Sequence, residues 1–434
     1  MFYWPAARTR LASLALLLMA NYFFLAKWDL LYLWLIPLAG TCDYLVGLGL
    51  GKTERPVWRR VLLGISIAGN VMLIALFKLA PGWLVLGLSF YSFQAMSYTL
   101  DVYRRDAKPV TSLLAYLTAV SFFPTILAGP ITRPADLVPQ LERRGALTAE
   151  DSGRAFFLIG LGLIKKLLIA DYLAENLVNR VFDLPALYSG FETLVAVYGY
   201  ALQLYYDFSG YTDIAIGSAL LLGLKLPANF NRPYASENIA DFWRRWHITL
   251  SNWLRDYVYF SLPGLRSRRK IFTYMNLVIT MLVGGLWHGI GWTYFVWGAL
   301  HGVGLAVVRA VQVRRGKKQL CQQWYAVYLR TLATFHFVCL AWIFFRAPSL
   351  ETAWMVLGRI GSLTFSTANL TGSFVFVLAV GALAHFVPRN WYETAVSVYA
   401  DRPFYVQAAA MALLLLGVQY LASSGSTPFV YTRF

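Results

Sequence analysis

Apolar runs of membrane-crossing length recur from Leu11 almost to the C-terminus, and they restrict the fold more than any other property of this chain. A bilayer core offers no water to backbone N–H and C=O groups, so a segment crossing it must satisfy them as an α-helix or within a closed barrel. Runs of about twenty consecutive apolar residues select the helix, because barrel strands are about half that length and alternate in polarity. Only 14% of the 434 residues are charged, against about 25% in soluble domains. Candidate spans fall at about 11–27, 29–50, 60–77, 83–103, 110–128, 154–172, 190–207, 209–225, 272–287, 290–311, 327–346, 372–388 and 404–423. Several are short enough to be tilted or re-entrant. The expectation is an all-α, polytopic membrane protein with about eleven crossings, folded as a single domain over residues 1–434.

The net charge of +17 would suggest nucleic acid in a soluble protein. Here the basic residues sit in short loops between apolar runs: Lys52 to Arg60, Arg104-Arg105, Arg266 to Lys270, and Arg314 to Lys318. That is the positive-inside pattern, which places these loops toward cytoplasmic lipid headgroups and argues against nucleic acid as a partner. The N-terminus, with Arg8 and Arg10, is expected on the same side of the cytoplasmic (inner) membrane. The apolar run after Arg10 passes Ala26 without a small-residue cleavage site, so it reads as a retained first helix. The stretch between Lys270 and Arg314 must leave and return, making a hairpin with His288-Gly289-Ile290-Gly291 at its turn. Three cysteines, with no CxxC pair and no Cys/His ligand spacing, support neither a disulfide framework nor a metal site.

His288 lies between two crossing-length runs. Imidazole stabilises a membrane helix poorly but moves protons well near neutral pH, which makes His288 a candidate catalytic base. A second histidine, His247, lies in Ile239–Phe260, a stretch too polar to span lipid. It is expected as one amphipathic helix in the interface or along a cavity. On such a helix Trp243 and Ser251, four residues either side of His247, would share its face and wall a site. Arg244 and Arg245 are candidates to hold a phosphate-bearing donor such as coenzyme A, with lipid headgroups as their alternative partners. His301, in Trp297–Gly302, is a candidate to reach the same site, whereas His336 and His385 read as structural. Asp207 and Asp213 flank Phe208-Ser209-Gly210-Tyr211 at an expected break between two spans. Their expected role is pairing with arginines or capping half-helices, with substrate contact as the alternative for Asp207. With no Gly-rich phosphate loop and no Gly-x-Ser-x-Gly elbow, a serine-hydrolase mechanism is disfavoured.

Several stretches in one order resemble the bacterial branch of the membrane-bound O-acyltransferase (MBOAT) family, nearest to its alginate-acetylating members. They are Leu204 to Asp213, Asn229 to Tyr234, Phe242 to Asp256, and Gly284 to Gly289, with the densest match over about 200–302. Phe122-Phe123-Pro124 with Ala128-Gly129-Pro130, Phe344-Phe345-Arg346, and Phe429-Val430-Tyr431 add to it. The resemblance implies helices ringed around a central membrane funnel with the reaction at its narrow point. It places the family's catalytic histidine on His288. The family's second polar position, which is Asn, Asp or His in different branches, falls on His247. One departure stands out: Ser261-Leu262-Pro263-Gly264-Leu265-Arg266 replaces the Gly-Gly-Asn/Ser-Arg element of alginate-type members, which argues against alginate itself as the acceptor.

The resemblance implies O-acetyl transfer, with no bound cofactor, from acetyl-CoA or another acyl thioester to an exported cell-envelope polysaccharide. Transfer would be direct, or relayed through a serine of a separate periplasmic SGNH-like acetyltransferase. The alternatives are D-alanyl transfer to teichoic acid, a more distant resemblance, and a proton-coupled transporter using the histidines as a relay. Uneven span lengths and no evident inverted repeat argue against the transporter.

Overall fold

The computed structural model describes Trp4 and residues 9–27, 29–79, 87–143, 147–264, 269–316 and 321–421. Arg8, Arg266 to Arg268, Lys317, Lys318, the first residues of the 83–103 span and the Phe429-Val430-Tyr431 match lie outside the described residues. Four helices open the chain: α1 (Arg10–Ala26), α2 (Tyr32–Lys52), α3 (Pro56–Leu79) and α4 (Leu88–Arg104). The 110–128 span is two short pieces, α5 (Leu113–Val120) and α6 (Phe123–Ile126), followed by α7 (Pro134–Glu142). Helix α8 (Ala149–Leu163), capped by Thr148, continues through two wide π-type turns, Ile164–Ala170 and Ala174–Val178, to Asp183.

Helix α9 (Gly190–Leu221) runs unbroken for 32 residues from a capping box formed by Ser189 and Glu192. This corrects two expectations: the separate spans at 190–207 and 209–225 are one helix, and no break lies between Asp207 and Asp213. Ion pairing is the reason. Lys166 Nζ lies 2.7 Å from Asp207 Oδ1 and 2.8 Å from Asp171 Oδ1, and Lys165 Nζ lies 2.6 Å from Asp213 Oδ2. Cations on the adjoining π-type turn neutralise both carboxylates, so α9 has no need to open toward water. The partners are lysines rather than the expected arginines.

The polar stretch forms α10 (Ile239–Arg245) and α11 (Ile248–Trp253), with His247 between them, in place of one helix. The hairpin is as anticipated: α12 (Lys270–His288) and α13 (Trp292–Arg315) turn through Gly289–Gly291. The chain ends with α14 (Trp324–Arg346), α15 (Leu350–Gly361), α16 (Gly372–His385), α17 (Arg389–Ala400) and α18 (Phe404–Leu421). Among the described residues, five helices are long and apolar enough to cross a membrane: α2, α3, α12, α13 and α14. The pair α16 and α17, bent by 97°, makes a sixth candidate, and α1, the Leu113–Ile126 segment and α18 are shorter apolar helices. Length and composition therefore do not yield the expected eleven crossings. The 110–128 and 209–225 stretches, which contributed to that estimate, are a broken pair and the end of a longer helix.

Close packing holds the hairpin. A Cβ on Gly285 would sit 2.4 Å from Tyr294 O, and one on Gly298 would sit 2.6 Å from Met281 O. Small residues thus let α12 and α13 approach backbone to backbone, as packing in lipid favours. Gly298→Ala must displace main chain, and a stability loss of about 1–3 kcal/mol is expected from such overpacking. Thermal unfolding in detergent checks this against Gly358→Ala, where a Cβ meets nothing within 4 Å and no loss is expected.

Polar contacts gather several loops at one end of the bundle. Arg10 pairs with Glu142, Lys225 N donates to Gln140 Oε1, Arg105 pairs with Glu54, and Arg104 and Arg133 both bind Asp256. The basic ends of α1, α4 and the α2–α3 turn therefore share one side. Burial raises the Asp256 pKa, but Arg255 and Arg133 outweigh it and hold the carboxyl below the usual range.

Candidate active site

His288 is the last residue of α12, and the helix stops there because the chain turns extended at Gly289. A Cβ at 289 would lie 2.2 Å from the Tyr294 ring, so any other residue there must displace that ring. The imidazole is 3% exposed and boxed by Trp287, Trp297 and Phe345, with ring centroids at 4.5, 5.2 and 4.9 Å.

His247 is fully buried in the break between α10 and α11, at φ 41°, a left-handed conformation rare for a non-glycine residue. Asn229 pins the break. Its Oδ1 accepts from Thr249 N at 3.2 Å and Thr249 Oγ1 at 2.9 Å, and lies 3.1 Å from His247 Nδ1. A carbonyl oxygen only accepts, so His247 Nδ1 is the donor and the neutral ring carries its basic lone pair on Nε2. The backbone pairs as well: Ile248 N donates to Asn229 O, and Asn231 N to Arg245 O. These bonds from the 229–231 loop replace helical ones, which is why one amphipathic helix does not form. Strain held by a pinned backbone is a recurring property of functional positions.

Helix α4 joins the two histidines. Phe90 stacks on His247 at 6.1 Å and meets Trp287 edge-on at 5.7 Å, and Phe93 lies 5.0 Å from Trp287. Trp287 in turn packs on His288 at 4.5 Å, so Phe90 and Trp287 bridge the two imidazoles. A third ring stands behind. Trp243 Nε1 donates to His301 Nδ1 at 3.2 Å, which leaves the neutral His301 protonated at Nε2. His301 packs on Trp297 at 4.9 Å, and Trp297 meets His288 edge-on.

The structure thus brings together His288, His247, Trp243 and His301. It corrects the argument for Trp243 and Ser251: the break at His247 removes their shared helical face. Trp243 joins the cluster through His301, whereas Ser251 Oγ donates to Trp246 O at 3.1 Å across the break. Arg244 and Arg245 both turn to Asp241, at 3.2 and 3.0 Å, with the Arg244 side chain 68% exposed. Asp207 sits in the lysine-centred ion cluster. His336 bonds Tyr198 Oη and Leu332 O, and His385 Nε2 accepts from Tyr234 N, so both are occupied structurally.

Sequence reasoning missed two contributors: Asn229 and the Phe90–Phe93 wall. The Asn229-Phe230-Asn231 stretch between Pro227 and Pro233 was a usable signal for the first. The aromatic pair reads as ordinary apolar helix. Two buried imidazoles, one with a defined tautomer, in a mostly aromatic enclosure can remove a proton from a hydroxyl and return it to a leaving group.

Residues 88–351 match the family model of MBOAT, the membrane-bound O-acyltransferase family. The chain is 38% identical to the probable alginate O-acetylase of Pseudomonas aeruginosa, over 89% of this chain and 78% of that protein. It is 35% identical to the peptidoglycan O-acetyltransferase of Helicobacter pylori, over 82% and 75% of the two chains. The teichoic acid D-alanyltransferase of Bacillus subtilis is more distant, at 30% over 60% and 68%. The match starts on the helix that supplies Phe90 and Phe93 and encloses both imidazoles, and with it the chain belongs to the membrane-bound O-acyltransferase family and is an acyltransferase.

Proposed function

We propose that this acyltransferase moves acetyl groups from a cytoplasmic thioester, acetyl-CoA being the simplest, across the inner membrane for O-acetylation of an exported cell-envelope polysaccharide. The observation that carries the reading is His288, a buried imidazole at a broken helix end, beside a second imidazole of defined tautomer. His288 takes the proton of the acceptor hydroxyl as its oxygen attacks the thioester carbonyl carbon. The carbonyl π pair moves onto oxygen. It returns as the C–S bond breaks, and the thiolate receives the proton from His288. His247 orients His288 or polarises the carbonyl. The acceptor hydroxyl is a sugar's or that of a serine on a periplasmic SGNH-like partner; the bonds made and broken are the same. The basic loops and the N-terminus face the cytoplasm. Acetyl transfer is preferred to D-alanyl transfer because the acetyltransferase relatives are more alike over more of the chain.

Inverted membrane vesicles given radiolabelled acetyl-CoA test this directly. Acetyl label should reach envelope polymer or the partner's serine in a way that depends on this protein. Transfer of carrier-bound D-alanine, with no acetyl label moved, would overturn the reading. In the same assay, Arg244→Gln and Arg245→Gln test donor handling. If the guanidiniums also hold donor phosphates, apparent KM for acetyl-CoA rises several-fold with kcat nearly unchanged. An unchanged KM in correctly inserted protein would return both residues to Asp241 and the lipid surface.

A further inference from the structure

Lys78 lies in the last turn of α3, 210 residues from His288 in sequence. Its ammonium donates to the carbonyl of Trp287 and, at 3.1 Å, to that of His288, and lies 5.9 Å from the centroid of the Trp287 ring. Helix ends leave their last carbonyls without intrahelical donors. On α12 the Gly285 carbonyl is taken by Gly289 N, while the two carbonyls at the catalytic end are met from another helix. A cation there also complements the negative end of the helix dipole. In a site enclosed by Trp287, Trp297 and Phe345, charge-assisted bonds are stronger than in water, and an unpaired carbonyl is correspondingly unfavourable.

We infer that Lys78 is a positioning residue for the acyl transfer, clamping the end of α12 so that the His288 imidazole holds its orientation. The inference rests on His288 being the base. It assigns a role in the chemistry to α3, which precedes the 88–351 family match. Fraying by one residue at His288 would swing the ring, and a displacement of about 1 Å at a reacting group can lower the rate about 10²-fold. The donor need not bind less well.

The test compares Lys78→Met, Lys78→Gln and Lys78→Arg in vesicles supplied with labelled acetyl-CoA, with kcat, KM and membrane abundance measured together. Lys78→Met should lose kcat about 10- to 10²-fold, with KM for acetyl-CoA within about two-fold of wild type. Lys78→Arg, which keeps cationic donors, should recover most of the rate, and Lys78→Gln should fall between. Equal kcat for the Arg and Gln variants, or wild-type kcat in Lys78→Met, overturns the inference. So does a rise in KM that accounts for the whole loss. Should Lys78→Met fail to accumulate, the order of Arg over Gln decides. His288→Ala, measured alongside, separates the two failures. If it keeps activity, the catalytic assignment falls. If it is inactive while Lys78→Met is unimpaired, only the clamp falls.

Discussion

His288→Ala is expected to insert and accumulate normally yet lose acyl transfer by about 10²-fold or more, the range for removing a general base. The two halves of that result have different physical origins. The imidazole contributes packing against Trp287, Trp297 and Phe345, but α12 is held by its backbone contact with α13, which alanine at 288 leaves alone. On the proposed mechanism, the reaction loses the group that takes the hydroxyl proton. His247→Asn should be milder than His247→Ala, since an amide can still bond the Asn229 carboxamide across the break. The double variant His247→Ala with His288→Ala should be little worse than His288→Ala, as expected of groups acting as a unit. Quantitative acetyl labelling of polymer, normalised to membrane abundance, checks all of these. Substantial transfer by a well-expressed His288→Ala protein would sink the catalytic assignment.

Lys166→Met is expected to give the largest stability change. Lys166 bonds both Asp207 and Asp171, and all three side chains are at most 5% exposed. Removing the cation leaves two carboxylates facing each other in a low-dielectric interior. Breaking a buried pair from one side typically lowers stability by about 3–5 kcal/mol. The variant should show low abundance and a lowered unfolding temperature in detergent. Lys166→Met with Asp207→Leu should be less destabilised than the sum of the two single changes, because one of the two uncompensated carboxylates is removed with the cation and Asp171 no longer faces a like charge. Asp207→Asn separates structure from substrate contact. A lowered unfolding temperature with near-normal KM in the surviving protein supports the ion cluster, whereas normal stability with a raised KM would place Asp207 at the substrate.

Periodicity and hydropathy made much of the architecture legible. The α12–α13 hairpin followed from basic residues on both sides of two apolar runs, because charge bias and the requirement to return act locally along the chain. The helices at 32–52, 56–79, 324–346 and 404–421 lie close to where apolar length placed them. Errors arose where a local rule met a distant partner. Asp207 and Asp213 read as a break because a lone carboxylate in an apolar run needs relief, and the lysines supplying it lie on another element. Ile239–Phe260 read as one amphipathic helix because it mixes tryptophans with charges and is too polar to span lipid, yet hydrogen bonds from the 229–231 loop divide it at His247.

The sequence by itself determined an all-helical membrane chain, the identity of His288 and His247 as its exceptional residues, and the family to which it is similar. Those are properties of composition, spacing and motif order, which need no third dimension. Only the tertiary structure decided that Trp243 reaches the site through His301, that Asn229 sets the His247 tautomer, and that Lys78 closes the end of α12. Each depends on a contact between residues 18 to 210 positions apart. A hydrogen bond is satisfied by position and direction, and those exist only once the helices have packed.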